Sequence, residues 1–327
     1  MKNDKIFRKT VQIVKNNNIN LTHNSSLILI GSCFSLEVGN RLKRSGFEIN
    51  QPFGTVFNPI TIGDNLLRII DKNYFTKNEL VEKNNVFYSW HHSSKHYSDN
   101  DSKTLIEKLN TEIDTLNISF SKNPILLLTF GTSIVYEYNN KIVGNCHKQP
   151  SNHFQKRRLS IDDVVSSWKN VIKKCPNQHF IFTVSPVRHY KDGIVENNRS
   201  KSVLILAIDE LIKMFPNQLS YFPSYEIVMD ELRDYRFYNS DMIHPNKDSV
   251  DYIWMKFQET YMNNKTTEII NKCDKLRQAL DHKPFINNSK EHQQFLKILN
   301  QKIVSISNET PLYNWSDELG KLNRELA

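Results

Sequence analysis

The hydrophobic positions of the chain fall into short continuous runs, which are separated by longer stretches with helical periodicity. Residues 27–30, 124–130 and 179–184 are runs dominated by aliphatic and aromatic side chains. A strand that is buried on both faces of a sheet has this composition. We therefore predict three core strands here, and a short final strand or extended segment at residues 221–226.

Between these runs, apolar residues recur with the period of an amphipathic helix. The spacing of Leu36, Val38 and Leu42 predicts a helix that begins just after Gly31. Ser160 has a side chain suited to capping a further helix. Similar spacing predicts helices over residues 62–70, 103–116, 161–174, 198–215 and 250–257. Strands that alternate with helices in this way predict a mostly parallel sheet covered on both faces.

The stretches outside these elements have weaker patterns. Residues 1–26 are polar and predict an arm or an edge strand, and residues 71–103 predict a loop that shapes a pocket or covers the sheet. Strand-forming residues on both sides of Asn139-Asn140 predict a hairpin over residues 134–143.

The carboxyl-terminal stretch differs in composition from the rest of the chain. Asparagine, lysine and glutamine predominate there, and scattered aliphatic residues at helical spacing predict a helical extension. We therefore divide the chain into an α/β domain, residues 1–260, and a helical extension, residues 261–327. The extension is a candidate interface for a homodimer.

Small polar residues follow the predicted core strands. Gly31-Ser32-Cys33 comes after the first strand, and Gly131-Thr132 comes after the second. Ligands of open α/β sheets bind at the carboxyl ends of the strands. Cys33 would also lie at the amino terminus of a helix, where the helix dipole stabilises a thiolate. We therefore predict that Cys33 is a nucleophile.

Asp241 and His244 are the residue types that such a nucleophile requires. In a single turn, residues three apart face the same way, so the Asp241 carboxylate can hold one imidazole nitrogen while the other faces the nucleophile. Many Asp-x-x-His patterns are surface capping pairs. The position of this pair before a predicted helix favours a catalytic base.

Two further loops carry polar groups that have structural alternatives. Gly54 lies in a loop bracketed by prolines and can offer a backbone N–H to a ligand, although a plain turn has the same pattern. Asn145 and His147 follow the predicted hairpin, and an ordinary loop cluster is the alternative for them.

Composition narrows the function classes. The 327 residues are 39% hydrophobic, which is enough for a substantial core, and the formal net charge is +8. Because lysine and arginine are spread along the chain, we expect a solvated surface and no nucleic-acid partner. The four cysteines show no close pairing, and no signal-like or membrane-spanning stretch is present. We expect a cytoplasmic protein without a membrane span or a cofactor.

The histidines suggest an alternative chemistry. His91, His92 and His96 lie close together in the sequence, and with His147 they raise the alternative of a zinc- or manganese-dependent hydrolase. Adjacent histidines usually point in different directions, however, so a loop role is favoured and we predict no metal site.

Seven ordered stretches of the chain carry a set of motifs: residues 31–35, 53–59, 129–132, 145–148, 183–188, 221–227 and 230–245. Together they resemble the GSCFA family, within the broad SGNH/GDSL hydrolase superfamily. The resemblance implies a flavodoxin-like, three-layer α/β/α fold with a site at the carboxyl ends of the strands.

The resemblance also implies roles for individual residues. The superfamily has a serine nucleophile where this chain has Cys33, and Ser32 is the adjacent alternative. Gly54 corresponds to a donor of an oxyanion hydrogen bond, and Asp241 with His244 corresponds to the last block of the superfamily. Further candidates for oxyanion or substrate binding in the matching stretches are Asn58, Gly131, Thr132, Asn145, His147 and Arg188.

These features predict an acyl-ester hydrolase or acyltransferase. Cys33 or Ser32 would attack an ester carbonyl, His244 would transfer protons, and Asp241 would fix the imidazole tautomer. The resemblance points to a small-molecule or carbohydrate acyl ester as the substrate. The Gly-x-Ser-x-Gly elbow of α/β-hydrolases is absent. The first alternative is a non-catalytic binding or scaffold protein with a degenerate site, and the second is the metal-dependent hydrolase.

Overall fold

The computed structural model of the chain describes residues 9–281 and 289–326. Its strands, in chain order, are β1 Leu27–Gly31, β2 Ile49–Asn50, β3 Leu80–Lys83, β4 Val86–Ser89, β5 Ser98–Asp99, β6 Ile125–Phe130, β7 Ile134–Tyr138, β8 Lys141–Val143, β9 Gln155–Arg158, β10 Phe180–Val184 and β11 Leu219–Tyr221. Its α-helices are α1 Cys33–Arg44, α2 Pro59–Asp71, α3 Ser102–Phe120, α4 Ile161–Lys174, α5 Ile194–Met214, α6 Ser224–Glu226, α7 Lys247–Tyr261, α8 Asn264–Leu280, α9 Lys290–Glu309 and α10 Ser316–Leu326.

A parallel sheet of five strands forms the centre of the molecule, in the order β11-β10-β6-β1-β2. Counting only these strands along the chain, the order is 2-1-3-4-5, which is that of flavodoxin-like folds. Gly31 pairs with Thr129, and Thr129 pairs with Thr183, so the carboxyl ends of β1, β6 and β10 lie level.

Alternate residues of the central strands face two separate hydrophobic cores. Ile28 and Ile30 of β1 pack with α2 to α5, whereas Leu27 and Leu29 pack with α1 and α7. The strands are buried on both faces for this reason. The predicted parallel sheet between two helix layers is confirmed.

Local sequence signals account for several element ends. Ser160 caps α4, and its side chain and that of Asp163 exchange hydrogen bonds with the backbone in a capping box. Asn139 and Asn140 both have positive φ and form the tight turn between β7 and β8, so the predicted hairpin is confirmed. Pro59 occupies the first turn of α2, where its missing N–H costs no hydrogen bond.

Some predicted elements differ from the structure. Residues 80–99, predicted as a loop, form a small antiparallel sheet of β3, β4 and β5, and β9 joins the predicted hairpin in another. The short strand or extended segment predicted at residues 221–226 is instead the end of β11, followed by α6 and a π-helical segment, Ile227–Leu232. Residues 9–26 form no strand of the central sheet, which agrees with the arm and not with the edge strand among the two predicted alternatives.

The carboxyl-terminal helices α8, α9 and α10 share a hydrophobic cluster of their own, which confirms the predicted helical extension. They also contact the α/β part, because the Arg277 guanidinium in α8 donates to the carbonyl oxygen of Arg44 at 2.7 Å. The domain boundaries and the homodimer stay predictions. Within the described ranges, no helix is both long and apolar enough to cross a membrane.

Candidate active site

The turn from β1 into α1 places Cys33 at the first position of the helix. Ser32 is the N-cap residue, and its amide donates to the carbonyl oxygen of Thr129 on β6 at 3.2 Å. A methyl group at Gly31 would lie 2.4 Å from that same oxygen. Glycine is therefore required where β1 and β6 approach each other and the chain turns towards Cys33.

Cys33 is half-buried and lines a cavity of about 270 Å³ at the carboxyl edge of the sheet. Burial raises the pKa of the Cys33 thiol, whereas the backbone N–H groups of Phe34 and Cys33 and the charge of Lys201 lower it. Because burial is the largest effect, the resting group is a thiol. It needs a base to become a nucleophile.

The loop before α7 brings His244 to the same cavity. Nδ1 of His244 lies 2.7 Å from Oδ2 of Asp241, and Oδ1 of Asp241 accepts the amides of Ile243 and His244 at 2.9 and 3.0 Å. These hydrogen bonds lower the pKa of Asp241 to about 2. The carboxylate therefore holds Nδ1–H, which leaves Nε2 of the neutral imidazole as a proton acceptor.

A pair of main-chain contacts closes this loop. Tyr238 and Pro245 form an isolated antiparallel bridge, and the amide of Asn239 donates to the carbonyl oxygen of His244 at 2.8 Å. Met242, between Asp241 and His244, has a positive φ of 56°. The Asp241–His244 turn is thus fixed by its own backbone as well as by the carboxylate.

Ser32, the alternative nucleophile, has a different environment. Ser32 is 1% exposed and does not line the Cys33 cavity. Its hydroxyl has no hydrogen-bond partner among the described residues. The geometry therefore favours Cys33 as the group that a substrate can reach.

The family-model comparison covers this whole arrangement. The model of the GSCFA family matches residues 26–257, and the model described as GSCFA domain protein, C-terminal domain, matches residues 273–327. The chain belongs to the GSCFA family. The family match includes Cys33, Asp241 and His244. No curated protein matches the sequence.

Several other predicted site residues of this GSCFA protein have structural partners. Gly54 has a φ of 64°, and an added methyl group would lie 2.9 Å from the His96 ring. Gly54 therefore faces the loop that contains His96. Asn58 caps α2 by accepting the amide of Thr61 at 2.8 Å. Neither residue lines the cavity of Cys33 and His244.

The residues predicted after the second and third strands also lie outside that cavity. The carbonyl oxygen of Gly131 accepts a hydrogen bond from Lys201, and the Thr132 hydroxyl lies 3.0 Å from that of Ser200. The Arg188 guanidinium lies over the rings of Tyr235 and Tyr238, at 5.3 and 4.4 Å from their centroids.

Asn145 and His147 form a local cluster with the small antiparallel sheets. Oδ1 of Asn145 accepts the amide of His147 at 2.9 Å, and Nε2 of His147 lies 2.7 Å from the carbonyl oxygen of Ser89. His147 also stacks on Tyr88. These contacts satisfy the Asn145 oxygen and Nε2 of His147, whereas Nδ1 of His147 is buried without a hydrogen-bond partner among the described residues. The predicted binding roles of both residues stay predictions.

Of the clustered histidines, His91 and His92 are packed into the protein, whereas His96 is exposed. Burial lowers the pKa of His91 to about 4 and the pKa of His92 well below 6.5. His92 stacks on Phe53, and its Nδ1 lies 2.9 Å from the Ser89 hydroxyl. In the parts of the chain that the structure describes, no group of three or more histidine, cysteine or carboxylate side chains is arranged to hold a metal ion.

Lys201 and His189 are close to the site but absent from the predicted residues. Lys201 in α5 is 1% exposed, and burial lowers its pKa to about 7. Burial likewise lowers the pKa of His189 to about 4, and the charges of Lys201 and His244 act in the same direction. A signal for Lys201 exists in the sequence, because it lies on the same helical stripe as the buried residues Leu204 and Ile208.

The cavity itself has a polar rim that the motifs do not include. Its lining residues besides Cys33 and His244 are Phe34, Glu37, Arg41, Val187, Asn239, Pro245, Asn246, Lys247 and Val250. Most of them belong to the first turns of α1 and α7 or to the segment before α7. The amino-terminal turns of both helices therefore lie at the cavity, where their dipoles favour an anionic species.

Proposed function

We propose that this GSCFA protein is an acyl-ester hydrolase or acyltransferase with Cys33 as its nucleophile and His244 as its base. The observation that carries the proposal is that Cys33 and His244 line one cavity, while Oδ2 of Asp241 lies 2.7 Å from Nδ1 of His244. A nucleophile, a base and an orienting carboxylate are the minimum set for acyl transfer through a covalent intermediate.

The first half-reaction transfers the acyl group to Cys33. The sulfur bonds to the ester carbonyl carbon while the thiol proton moves to Nε2 of His244. The tetrahedral intermediate then breaks its bond to the alcohol oxygen, which takes the proton from the imidazolium. The products are a thioester on Cys33 and a free alcohol.

The second half-reaction releases the acyl group. Water or an acceptor hydroxyl attacks the thioester carbonyl and gives its proton to His244. The carbon–sulfur bond then breaks, and the proton passes from the imidazolium to the Cys33 sulfur. Water yields a free acid, whereas an alcohol acceptor yields a new ester, so the same residues serve hydrolysis and transfer.

The amino terminus of α1 is the best candidate for the oxyanion site. The amides of Cys33 and Phe34 belong to the first turn, where N–H groups have no acceptor within the helix, and both interact with the thiol sulfur. Loss of one oxyanion donor costs about 3 kcal/mol in characterised enzymes. Gly54 and Asn145 would have to move to contribute, because neither lines the cavity.

The substrate class rests on the resemblance to the SGNH/GDSL superfamily, which suggests O-acylated carbohydrate. The polar rim of the cavity, with asparagine, glutamate and lysine side chains, is compatible with a hydroxyl-rich acceptor. A screen of esters with different acyl groups and different acceptors tests this part of the proposal.

Hydrolysis of p-nitrophenyl acetate by the wild type and by Cys33→Ala, Ser32→Ala and His244→Ala tests the proposal. We expect turnover to be lost in Cys33→Ala and His244→Ala and retained in Ser32→Ala. Intact-protein mass spectrometry should detect an acyl adduct, and peptide mapping should assign it to Cys33. An adduct on Ser32 would reassign the nucleophile.

Two outcomes would favour the alternatives. Absence of both turnover and adduct across a panel of acetylated sugars would favour a binding protein with this fold. Turnover that disappears with a chelator and returns with zinc or manganese would favour the metal-dependent hydrolase. We expect turnover to be unaffected by chelators.

A further inference from the structure

Lys201 is buried at the carboxyl edge of the central sheet, where β6 and β10 end. Its Nζ donates to the carbonyl oxygen of Gly131 at 2.7 Å and to that of Ser185 at 2.6 Å. Within the described residues it forms no ion pair with a carboxylate. The Tyr225 ring is also near, with its centroid 5.7 Å from Nζ.

The strand register places this amino group close to Cys33. Gly31 pairs with Thr129, and Val184 pairs with Phe130, so Cys33, Gly131 and Ser185 follow the ends of three adjacent strands at one level. Adjacent strands are about 5 Å apart, so an amino group bound to both carbonyl oxygens lies within about 10 Å of the end of β1, which leads into Cys33.

We infer that Lys201 is a positioning residue of the acyl-transfer reaction, acting through Cys33. Its ammonium group stabilises the Cys33 thiolate and the anionic intermediate, and its two hydrogen bonds hold the ends of β6 and β10 level with the nucleophile. Because it concerns the nucleophile of the proposed reaction, the inference rests on the proposed function.

The electrostatics of the two groups agree with this geometry. A buried ammonium without a carboxylate partner is unfavourable, and burial lowers the pKa of Lys201 to about 7. Cys33 is the ionisable group that raises the pKa of Lys201, and Lys201 in turn lowers that of Cys33. Each charge therefore stabilises the other, so formation of the thiolate favours the protonated lysine.

Other charged groups lie near Cys33 and Lys201, and the variants used in a test must leave these groups unchanged. Glu37 on α1 raises the pKa of Cys33, and Lys201 lowers the pKa of His189. The remaining titratable or charged residues that line the cavity are Arg41, His244 and Lys247.

The rate of Cys33 alkylation by iodoacetamide as a function of pH tests the inference without requiring turnover. Peptide-level mass spectrometry separates Cys33 from Cys146, the other half-exposed cysteine, whose pKa responds to Lys191. In Lys201→Met we expect about tenfold slower alkylation of Cys33 near pH 7, because one positive charge at this distance changes a thiol pKa by about one. Lys201→Arg should alkylate Cys33 at near the wild-type rate, and Cys146 should be unaffected in both variants.

A folded Lys201→Met protein with the wild-type pH profile of Cys33 alkylation would overturn the inference, since a purely structural lysine would not shift that profile. Failure of the proposed function is distinguishable, because a protein that turns over no ester would still show the shifted alkylation.

A second measurement covers the case in which Lys201→Met does not fold. The NMR signal of the Lys201 side chain, assigned by its loss in Lys201→Arg, is titrated in Cys33→Ser and in Cys33→Asp. We expect a higher Lys201 pKa in Cys33→Asp, because aspartate supplies a fixed negative charge in place of the thiolate. Equal values in the two variants would overturn the inference.

Discussion

The Asp241→Asn substitution isolates the orienting role of the carboxylate. Asparagine has the same shape as aspartate. Its side-chain oxygen can therefore still accept the amides of Ile243 and His244, which lie 2.9 and 3.0 Å from Oδ1 of Asp241 in the wild type. The atom that faces Nδ1 of His244 then becomes an NH₂ donor. Nδ1 must accept rather than donate, so the imidazole proton moves to Nε2, which can no longer take the proton of Cys33.

The expected loss follows from this reversal of the tautomer. In the serine–histidine–aspartate template, the same change with intact geometry lowers kcat by about 10⁴. The Cys33 thiol is more acidic than a serine hydroxyl and depends less on its base, so we expect kcat/KM to fall by about 10³.

The assay is kcat/KM for p-nitrophenyl acetate at pH 7.5, together with ¹⁵N NMR of the His244 ring. Asp248→Asn is a matched control, because Asp248 is an exposed carboxylate in the first turn of α7. We expect the proton on Nδ1 in the wild type and on Nε2 in Asp241→Asn. A folded Asp241→Asn variant with the reversed tautomer and kcat/KM within tenfold of the wild type would refute the role of His244 as the base.

Three further changes have definite expected outcomes. Gly31→Ala should lower the free energy of unfolding by about 3 kcal/mol in urea titrations, because the methyl group would lie 2.4 Å from the Thr129 oxygen; Gly320→Ala, with open space around it, is the control and should not destabilise. The pKa of His91 is lowered to about 4, so the folded state binds fewer protons than the unfolded state and stability falls as pH drops from about 6.5 to about 4. When the pH is lowered from 7 to 5, the free energy of unfolding of His91→Phe should fall by about 2 kcal/mol less than that of the wild type. An equal fall in the two proteins would contradict the lowered pKa of His91. Asn145→Ala should keep kcat/KM within about threefold, since its side-chain oxygen accepts the His147 amide, and a loss above a hundredfold would show that Asn145 reaches the substrate.

The central sheet could be predicted from the sequence because its strands are buried on both faces. Ile28 and Leu29 point into different cores, yet both are apolar, so the strand appears as an uninterrupted hydrophobic run. The small antiparallel sheets are half-exposed and short, and their patterns are correspondingly weak. Asn84-Asn85, both with positive φ, mark the turn between β3 and β4 and are the signal that could have identified that hairpin.

The sequence predicted candidate site residues only where the proposed role of a residue depends on neighbours within one turn of the chain. Asp241 and His244 are three residues apart, and one turn suffices to join them. Lys201 depends on the ends of two strands that lie far from it in sequence, so no local motif could reveal its contacts with Gly131 and Ser185. Gly54 is the opposite case. Its loop sequence predicted a backbone donor to a ligand, but in the folded chain Gly54 faces His96.

The position of the proposed nucleophile relative to the proposed base depends on how α1 packs against α7. Cys33 begins α1, and His244 precedes α7, so the relative position of the two helices sets the distance between Cys33 and His244. Arg41 and Asp251 form an ion pair between the helices, but both side chains are partly exposed, so this pair contributes at most about 1 kcal/mol. The shared hydrophobic core is the stronger contact, because it buries Phe34 and Leu42 of α1 with Ile253, Trp254 and Phe257 of α7. The position of Cys33 relative to His244 therefore rests on apolar packing, which salt does not screen, and the ion pair between Arg41 and Asp251 adds little to it.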